Sequence, residues 1–594
     1  MMLSAAITAR LDTAGRTLLS GLPTGLDALL LPELAKAAGP RGLLHVALDD
    51  QQLATLASQL DFFAPGLEVI RFPAWDCLPY DRVSPAADSL AWRMAALSLL
   101  SQKSTGPRLI LTTVNALLQR VVAPETLAGA TFRAAPGQRI NTESLLAFLA
   151  DNGFARTGTV MEQGDFAVRG GIIDIFPPGE ATPVRLDFFG DTLESIRDFN
   201  PETQRTTHTR KTLTLTPANE VVLTAASIGR FRKAYAAAFS GLDMNDPLYE
   251  SVTAGRRYQG MEHWLPLFHD RLVPLSDYLP EAVISLAFEA DEAMAARQAQ
   301  VMEFYDARRE ALGKQAFGAA PYKPLPPDLL YLTPEEWRTL EADHTSVIAT
   351  PFESPSSAAL SLGGRRGRSF AAERSQQTGE IYDAVRQHTE EMRRQNRKVV
   401  LACWSTGSAE RLYTILKDHD LAPLVPASSW AEVEGRDPGI VSMLVLPLEE
   451  GFETPRLALL SEQDILGDRL VRRGRKQRKA ADVISELSAM EPGDIVVHVD
   501  HGIGRFEGLR TIEVQGAPHD CLLLIYAGND RLFLPVENIE LLTRYGGEGG
   551  DAQLDRLGGG AWQARKARLK ERIREIAADL IKTAALRELR SGDI

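Results

Sequence analysis

The sequence predicts a multidomain protein of mixed α/β and α+β domains that closes with a small β-barrel and a long C-terminal helix. Three observations carry this reading. The chain has 594 residues, too many for one hydrophobic core, so several domains are expected. Apolar strand-like runs alternate with helical patterns along most of the chain, the signature of α/β layers. The stretch Glu491–Tyr545 instead packs short strands and tight turns into about fifty residues, near the lower size limit of a self-supporting core.

Composition narrows the class. Hydrophobic content of 44% and charged content of 24% are ordinary for globular chains. No apolar run approaches ~18 residues, so no membrane span is expected. The opening Met-Met-Leu-Ser-Ala-Ala-Ile lacks a basic segment followed by a long apolar one, so no export signal is expected and the location is cytoplasmic. Cys77, Cys403 and Cys521 form no CxxC pair and are expected to be buried, reduced thiols. A net charge of −13 argues against the whole chain acting as a polyanion binder. Arg469, Arg472, Arg473, Arg475, Lys476, Arg478 and Lys479 form one basic cluster without interleaved aromatics, expected to be a solvated linker.

Residues 1–130 read as an α/β layer. A glycine-rich turn, Gly21–Gly25, leads into an apolar helix, Leu26–Ala38, with strands expected at Leu43–Leu48 and Arg108–Thr112. The turn invites comparison with a phosphate-binding loop, G-x-x-x-x-G-K-[ST], whose lysine meets the β/γ-phosphates and whose hydroxyl meets Mg²⁺. Counted from Gly21, the last three places hold Leu26, Asp27 and Ala28. A carboxylate there repels phosphate, so ATP binding is not expected. The prolines and aromatics of Ile70–Asp88 predict an ordered, packed loop.

Residues 131–216 have a β texture. Gly164–Ile175 and Val184–Phe189 are strand runs separated by a Pro/Gly turn. Arg185 and Phe189 share strand parity and project from one face if no bulge intervenes. Residues 217–345 return to α/β texture. There the apolar run Ala282–Phe288 followed by Asp291-Glu292 imitates a metal-holding helicase box, but an acidic helix start favoured by the helix dipole explains it better. Residues 346–467 begin with a flexible Pro/Ser/Gly stretch, Pro351–Arg368, and continue as a small α/β domain with a helix at Thr378–Gln395 and a strand at Val399–Ser405.

In the last part, Gly502, Gly504 and Gly508 suit a bulged or sharply turned strand. Gly528-Asn529-Asp530 joins the runs Cys521–Tyr526 and Arg531–Val536 as a hairpin turn. No nucleophile–base pair and no metal-ligand spacing occurs in this block, which reads as a docking module. Gly546–Gly560 follows as a glycine-rich hinge. Leu569, Ile573, Ile576 and Leu580 then recur at helical spacing within Ala561–Arg590.

The run Val-Val-His-Val-Asp-His-Gly-Ile-Gly-Arg-Phe (496–506), with Leu-Phe-Leu-Pro-Val (532–536) and Arg-Tyr-Gly-Gly (544–547), closely resembles the polymerase-interacting domain of the bacterial transcription-repair coupling factors. CarD-like transcription regulators share that domain type. Residues 164–193 resemble the UvrA-docking domain of the excision-repair helicase UvrB, which the coupling factors copy. Leu457–Gly467 is similar to the coupling factors' domain 3.

The resemblance implies a full division. Residues 1–130 would be UvrB-like domain 1a, with a degenerate nucleotide loop, 131–216 the UvrA-binding domain 2, and 217–345 domain 1b. Then come domain 3 at 346–467, a basic linker at 468–490, an SH3/Tudor-like, CarD-like barrel at 491–546, and a hinge and connecting helix at 547–594. It places UvrA-binding residues at Arg169, Arg185 and Phe189, and contacts to the RNA polymerase β subunit at Val499, Asp500 and His501. The strand Ile495–Asp500 is expected to offer its edge to a polymerase strand.

As a whole the chain is expected to be the N-terminal half of such a factor, a monomeric scaffold without catalytic residues, cofactor or metal. ATP, Mg²⁺ and DNA would be engaged by the translocase motor of the full-length family member. The alternatives are a CarD-like regulator, against which Arg169–Phe189 stand, and an active UvrB-like helicase, against which Leu26, Asp27 and Ala28 stand.

Overall fold

The computed structural model describes residues 5–128, 130–239, 246–312, 322–354, 359–375, 380–421, 423–467, 493–498, 501–514, 517–535, 542–544 and 554–556. The chain divides into two units, Met1–Leu470 and Val471–Ile594.

The first unit is built on a seven-stranded parallel sheet. In spatial order its strands are Leu360–Ser361, Gly15–Ser20, Thr345–Ala349, Val283–Leu286, Leu43–Ala47, Arg108–Thr113 and Glu68–Phe72. Its strands come from both sides of residues 131–216, so the middle segment is an insertion in a split layer. The Leu43–Ala47 and Arg108–Thr113 strands are buried along their whole length, as parallel strands covered on both faces must be. One face packs on the helices Asp27–Ala38 and Asp50–Phe63, the latter capped by the Asp49 carboxylate. The other packs on Met94, Leu97, Leu117 and Trp337.

The first sheet does not end where the sequence suggested. The strand Thr345–Ala349 straddles the expected 345/346 boundary, and Leu360–Ser361 extends the layer further. The Pro351–Arg368 stretch, expected to be flexible, contributes that strand and also Arg365–Arg366, which pairs with Phe452–Glu453. Short two-residue pairings escape a reading based on hydrophobic periodicity.

The insertion carries a six-stranded sheet in the order Thr206–Arg210, Thr192–Phe199, Val184–Phe189, Ile172–Ile175, Asp165–Arg169 and Ala155–Arg156. Its core face, with Phe166, Ile173, Ile175, Val184 and Leu186, packs on Leu145 and Leu149 of the Thr142–Asp151 helix. Beyond it, an aromatic cluster of Phe231, Tyr235, Trp264 and Phe268 is buried. The Ile70–Asp88 stretch begins inside the Glu68–Phe72 strand rather than as a loop, and the part that follows is anchored as expected. Trp75 Nε1 donates to Glu220 Oε2 at 2.6 Å, and Glu220 also pairs at 3.0 Å with the fully buried Arg93.

A third layer is a six-stranded sheet around Lys398–Cys403 and Leu457–Ser461. Val400, Leu444, Phe452 and Leu459 share one core with the helices Asp27–Ala38 and Asp50–Phe63. Phe63 and Trp430 meet edge to face at 4.9 Å.

The second unit contains a five-stranded antiparallel sheet in the order Arg531–Pro535, Ala517–Ile525, Gly502–Val514, Ile495–His498 and Leu542–Arg544. Val496, Phe506, Leu522, Leu524, Tyr526 and Leu534 form its core. The register shifts between Phe506 and Gly508, where a bulge was expected. Gly528 and Asn529 adopt the left-handed conformations of the expected hairpin turn.

Two expectations need correction here. Ile495–His498 is no edge, because Gly502–Val514 lies on one side and Leu542–Arg544 on the other. Within the presumed hinge, Asp555 docks on the sheet. It accepts from Ile503 N through its carboxylate at 2.9 Å and from Ala527 N through its carbonyl at 2.9 Å. The basic cluster 469–479, Val499, Asp500 and the Ala561–Arg590 helix lie outside the described residues. Among the described residues no helix is long and apolar enough to cross a membrane.

Candidate functional site

Strand alternation decides what the inserted sheet displays. Phe166, Val168, Ile173, Val184, Leu186 and Phe188 turn to the core. Arg169, Arg185 and Phe189 are on the opposite parity and share the outer face. The one irregularity in this hairpin gives the facing strand an extra residue, Glu194, so alternation along Val184–Phe189 survives.

Two-residue turns, Gly170-Gly171 and Gly190-Asp191, close two hairpins at one end of this sheet. Gly171 must be glycine, since a Cβ there would lie 2.8 Å from the Phe188 carbonyl oxygen. That carbonyl's neighbour, Phe188 N, donates to Gly171 O at 2.8 Å and ties the hairpins together. Arg169 and Phe189 are the last strand residues before these turns. Arg169 is exposed, its Nη2 donating to Gly158 O and, at 3.0 Å, to Thr159 Oγ1. Phe189 is 77% exposed, a large apolar surface on a rigid sheet corner.

Arg185 has a different setting. Its Nε and Nη2 make a bidentate pair with Asp174, at 2.7 and 2.8 Å, across adjacent strands. Its guanidinium also lies 4.9 Å from the centre of the Phe199 ring. The side chains of Arg185 and Asp174 are only 16% and 2% exposed. The arginine fork is thus closed on an internal carboxylate, whose hydrogen bonds hold the guanidinium above its ordinary pKa. Between Arg185 and Phe189, Asp187 pairs with Arg197 at 2.6 Å. These partners went unnoticed in the sequence. The signal was Asp174 inside the apolar Ile172–Ile175 run, because a charge placed there requires a partner.

The Gly21–Gly25 turn shows why a phosphate would find no cradle. Gly21 N donates to Phe352 O and Leu22 N to Thr350 O, so these amides are already used. The Asp27 carboxylate accepts from Ala28 N at 2.9 Å. Burial raises its pKa, and the amides of Ala28, Asp27 and Gly25 oppose that rise. An internal carboxyl group therefore already takes the amides with which a helix N-terminus would otherwise receive an external anion. Gly25 also lies against Leu448 and Phe452, from the layer around Lys398–Cys403. Asp291, of the helicase-like acidic pair, is bonded to Arg16.

In the second unit His501 follows the Ile495–His498 strand in a turn. Its backbone N donates to His498 Nδ1 at 3.3 Å, and the two rings lie 4.6 Å apart. Val499 and Asp500 lie outside the described residues. Among the described residues no cluster of His, Cys, Asp and Glu could hold a metal ion.

Three family models match the chain. They are the UvrB interaction domain over residues 132–221, the MFD D3 domain over 392–465, and the CarD-like/TRCF RID domain over 490–546. The class is therefore a chain joining a UvrB interaction module to a CarD-like module. The transcription-repair-coupling factor of Rickettsia bellii is 32% identical over 548 residues, covering 92% of this chain and 47% of that protein. The Escherichia coli factor is 32% identical over 591 residues, covering 98% and 50%. The Myxococcus xanthus factor is 34% identical over 581 residues, covering 93% and 47%. By its modules and its alignment the chain matches the bacterial transcription-repair-coupling factor family, consistent with an N-terminal module of it. It spans about half the length of the curated relatives it matches.

Proposed function

We propose that the chain is a two-ended scaffold for transcription-coupled DNA repair. One end, the UvrB-like domain 2 at 131–216, receives UvrA through Arg169, Arg185 and Phe189, with Arg185 also holding, through Asp174, the strand that presents Phe189. The other end, an SH3/Tudor-like barrel at 491–546, receives the β subunit of RNA polymerase around Val499, Asp500 and His501. Polymerase stalled at a lesion is thereby linked to the excision-repair machinery in the cytoplasm.

The observation that carries this reading is Phe189, an exposed aromatic that shares one sheet face and one sheet end with the exposed Arg169, in a module matched as a UvrB interaction domain. Aromatic and arginine side chains are the residues that most often dominate interfaces. The remaining division follows the same reading: UvrB-like halves at 1–130 and 217–345, domain 3 at 346–467, a basic linker at 468–490, and a connecting segment at 547–594. The UvrB-like halves hold no nucleotide, because the Asp27 side chain and the Phe352 and Thr350 carbonyls already take the amides of the turn. ATP, Mg²⁺ and DNA belong to the motor of the full-length factor.

Pull-down with purified UvrA and RNA polymerase tests the proposal. Truncating an interface anchor typically costs about 2 kcal/mol, roughly thirtyfold in affinity. Arg169→Ala with Phe189→Ala should lose UvrA by at least that factor while polymerase binding and the melting temperature stay unchanged. Full UvrA binding by the folded double variant would refute the assignment.

A further inference from the structure

We infer that the cleft at the carboxyl ends of the central parallel strands binds an uncharged heteroaromatic ring that hydrogen-bonds His45. This site is separate from both docking surfaces, and the inference does not depend on the scaffold reading.

The cleft holds about 170 Å³ and is walled by side chains such as Leu19, Leu31, Leu286 and Val347. An apolar cavity of about 150 Å³ is large enough to take one benzene ring, so the space suits a single ring system. It opens at the ends of the Gly15–Ser20, Leu43–Ala47, Val283–Leu286 and Thr345–Ala349 strands, the position where open α/β sheets receive ligands.

His45 supplies the specific contact. It lines the cleft, is 4% exposed, and its Nδ1 lies 3.1 Å from Ser285 Oγ. Its Nε2 is buried and meets no protein partner. Buried polar atoms nearly always have a partner, so an orphan on a side chain that lines a cleft points to a ligand atom. Burial pushes the imidazole pKa down to about 4, so the ring is neutral at pH 7. A neutral imidazole donates from one nitrogen and accepts at the other, and the Ser285 hydroxyl can serve either tautomer. Nε2 can therefore meet a ring N–H or a ring nitrogen.

Charge excludes the obvious competitor. No lysine or arginine is among the described residues that line the cleft, whereas Asp27 and Glu289 are. An anionic ligand would meet Glu289 and no cation there, and the amides of the Gly21 turn are already bonded within the chain. At the rim Phe288 is 38% exposed and meets Phe352 edge to face at 5.8 Å, which leaves an aromatic surface for a flat ligand.

The test uses the full chain with four probes: adenine and indazole as neutral heteroaromatics, toluene as a ring without a hydrogen-bonding edge, and adenosine monophosphate as an anion. Saturation-transfer NMR measures binding, and the ¹⁵N resonance of His45 Nε2 reports contact. Adenine or indazole should bind saturably and shift that resonance, with toluene roughly tenfold weaker, the value of about one hydrogen bond. Adenosine monophosphate should bind more weakly than adenine. His45→Phe should erase the preference over toluene. If that variant does not fold, Phe288→Ala at the exposed rim should weaken adenine and indazole alike. The inference is overturned if neither heteroaromatic binds, if toluene binds as well as both, if the anion binds as well as adenine, or if neither variant changes binding. A slowly exchanging water as the only species on Nε2 overturns it too.

Discussion

Arg185 and Phe189 lie four residues apart on one strand and face the same side of the sheet, roughly 13 Å apart along it. Arg185 is closed on Asp174, whereas Phe189 stands in solvent. Their substitutions should separate accordingly. Arg185→Ala leaves Asp174 buried without its partner, which typically costs about 3 kcal/mol or more. Phe189→Ala removes no packing and should stay within about 0.5 kcal/mol of the parent. Denaturant unfolding of the two variants measures the difference, and equal stabilities would contradict these roles. Face sharing by Arg185 and Phe189 was legible in the sequence, because strand parity depends on spacing alone. The internal pairing was not, since Asp174 reaches Arg185 only through the cross-strand register. Glu453 was likewise unremarked. His388, then Arg365, hold its carboxyl down at about 2, with Arg397 also 3.2 Å away. A depressed carboxyl stabilises the fold above its unfolded pKa of about 4.3 and loses that contribution as pH falls toward its folded value. Stability should therefore fall between about pH 4 and pH 2, and Glu453→Gln should flatten that slope in acid-unfolding curves.

Elements divide by how much they depend on distant partners. The Gly21–Gly25 turn and the helix beginning at Asp27 were legible, because a carboxylate in a phosphate loop is a local contradiction. What spacing could not disclose is that domain 3 packs on that helix and that Phe352 and Thr350 take up the turn's amides. Isothermal titration with ATP–Mg²⁺ should accordingly show no binding heat. A micromolar constant, about −8 kcal/mol, would mean that the turn opens and releases Asp27. The Ile495–His498 strand shows the opposite failure. Its existence was clear from its apolar run, yet its neighbour Leu542–Arg544 comes from more than forty residues later, a pairing no local pattern reveals. The strand Gly502–Val514 was underestimated because its glycines read as turns, whereas the ladder absorbs them with one register shift.

At the scale of the molecule, the order of modules was legible because each has its own texture. The inserted sheet has alternating strands, domain 3 alternates strands with helices, and the last sheet has short runs with glycine turns. Their boundaries were less so, since the first sheet recruits strands from residues 15 to 361. In the proposed scaffold the UvrA surface lies in the first unit and the polymerase surface in the second. The account therefore requires that both be occupied at once. Analytical ultracentrifugation of the chain with UvrA and RNA polymerase measures this directly. A single sedimenting species containing all three proteins is predicted, reduced to a chain–polymerase complex by Arg169→Ala with Phe189→Ala. Mutually exclusive binding of the two partners, or a three-protein species that survives the double substitution, would contradict the account.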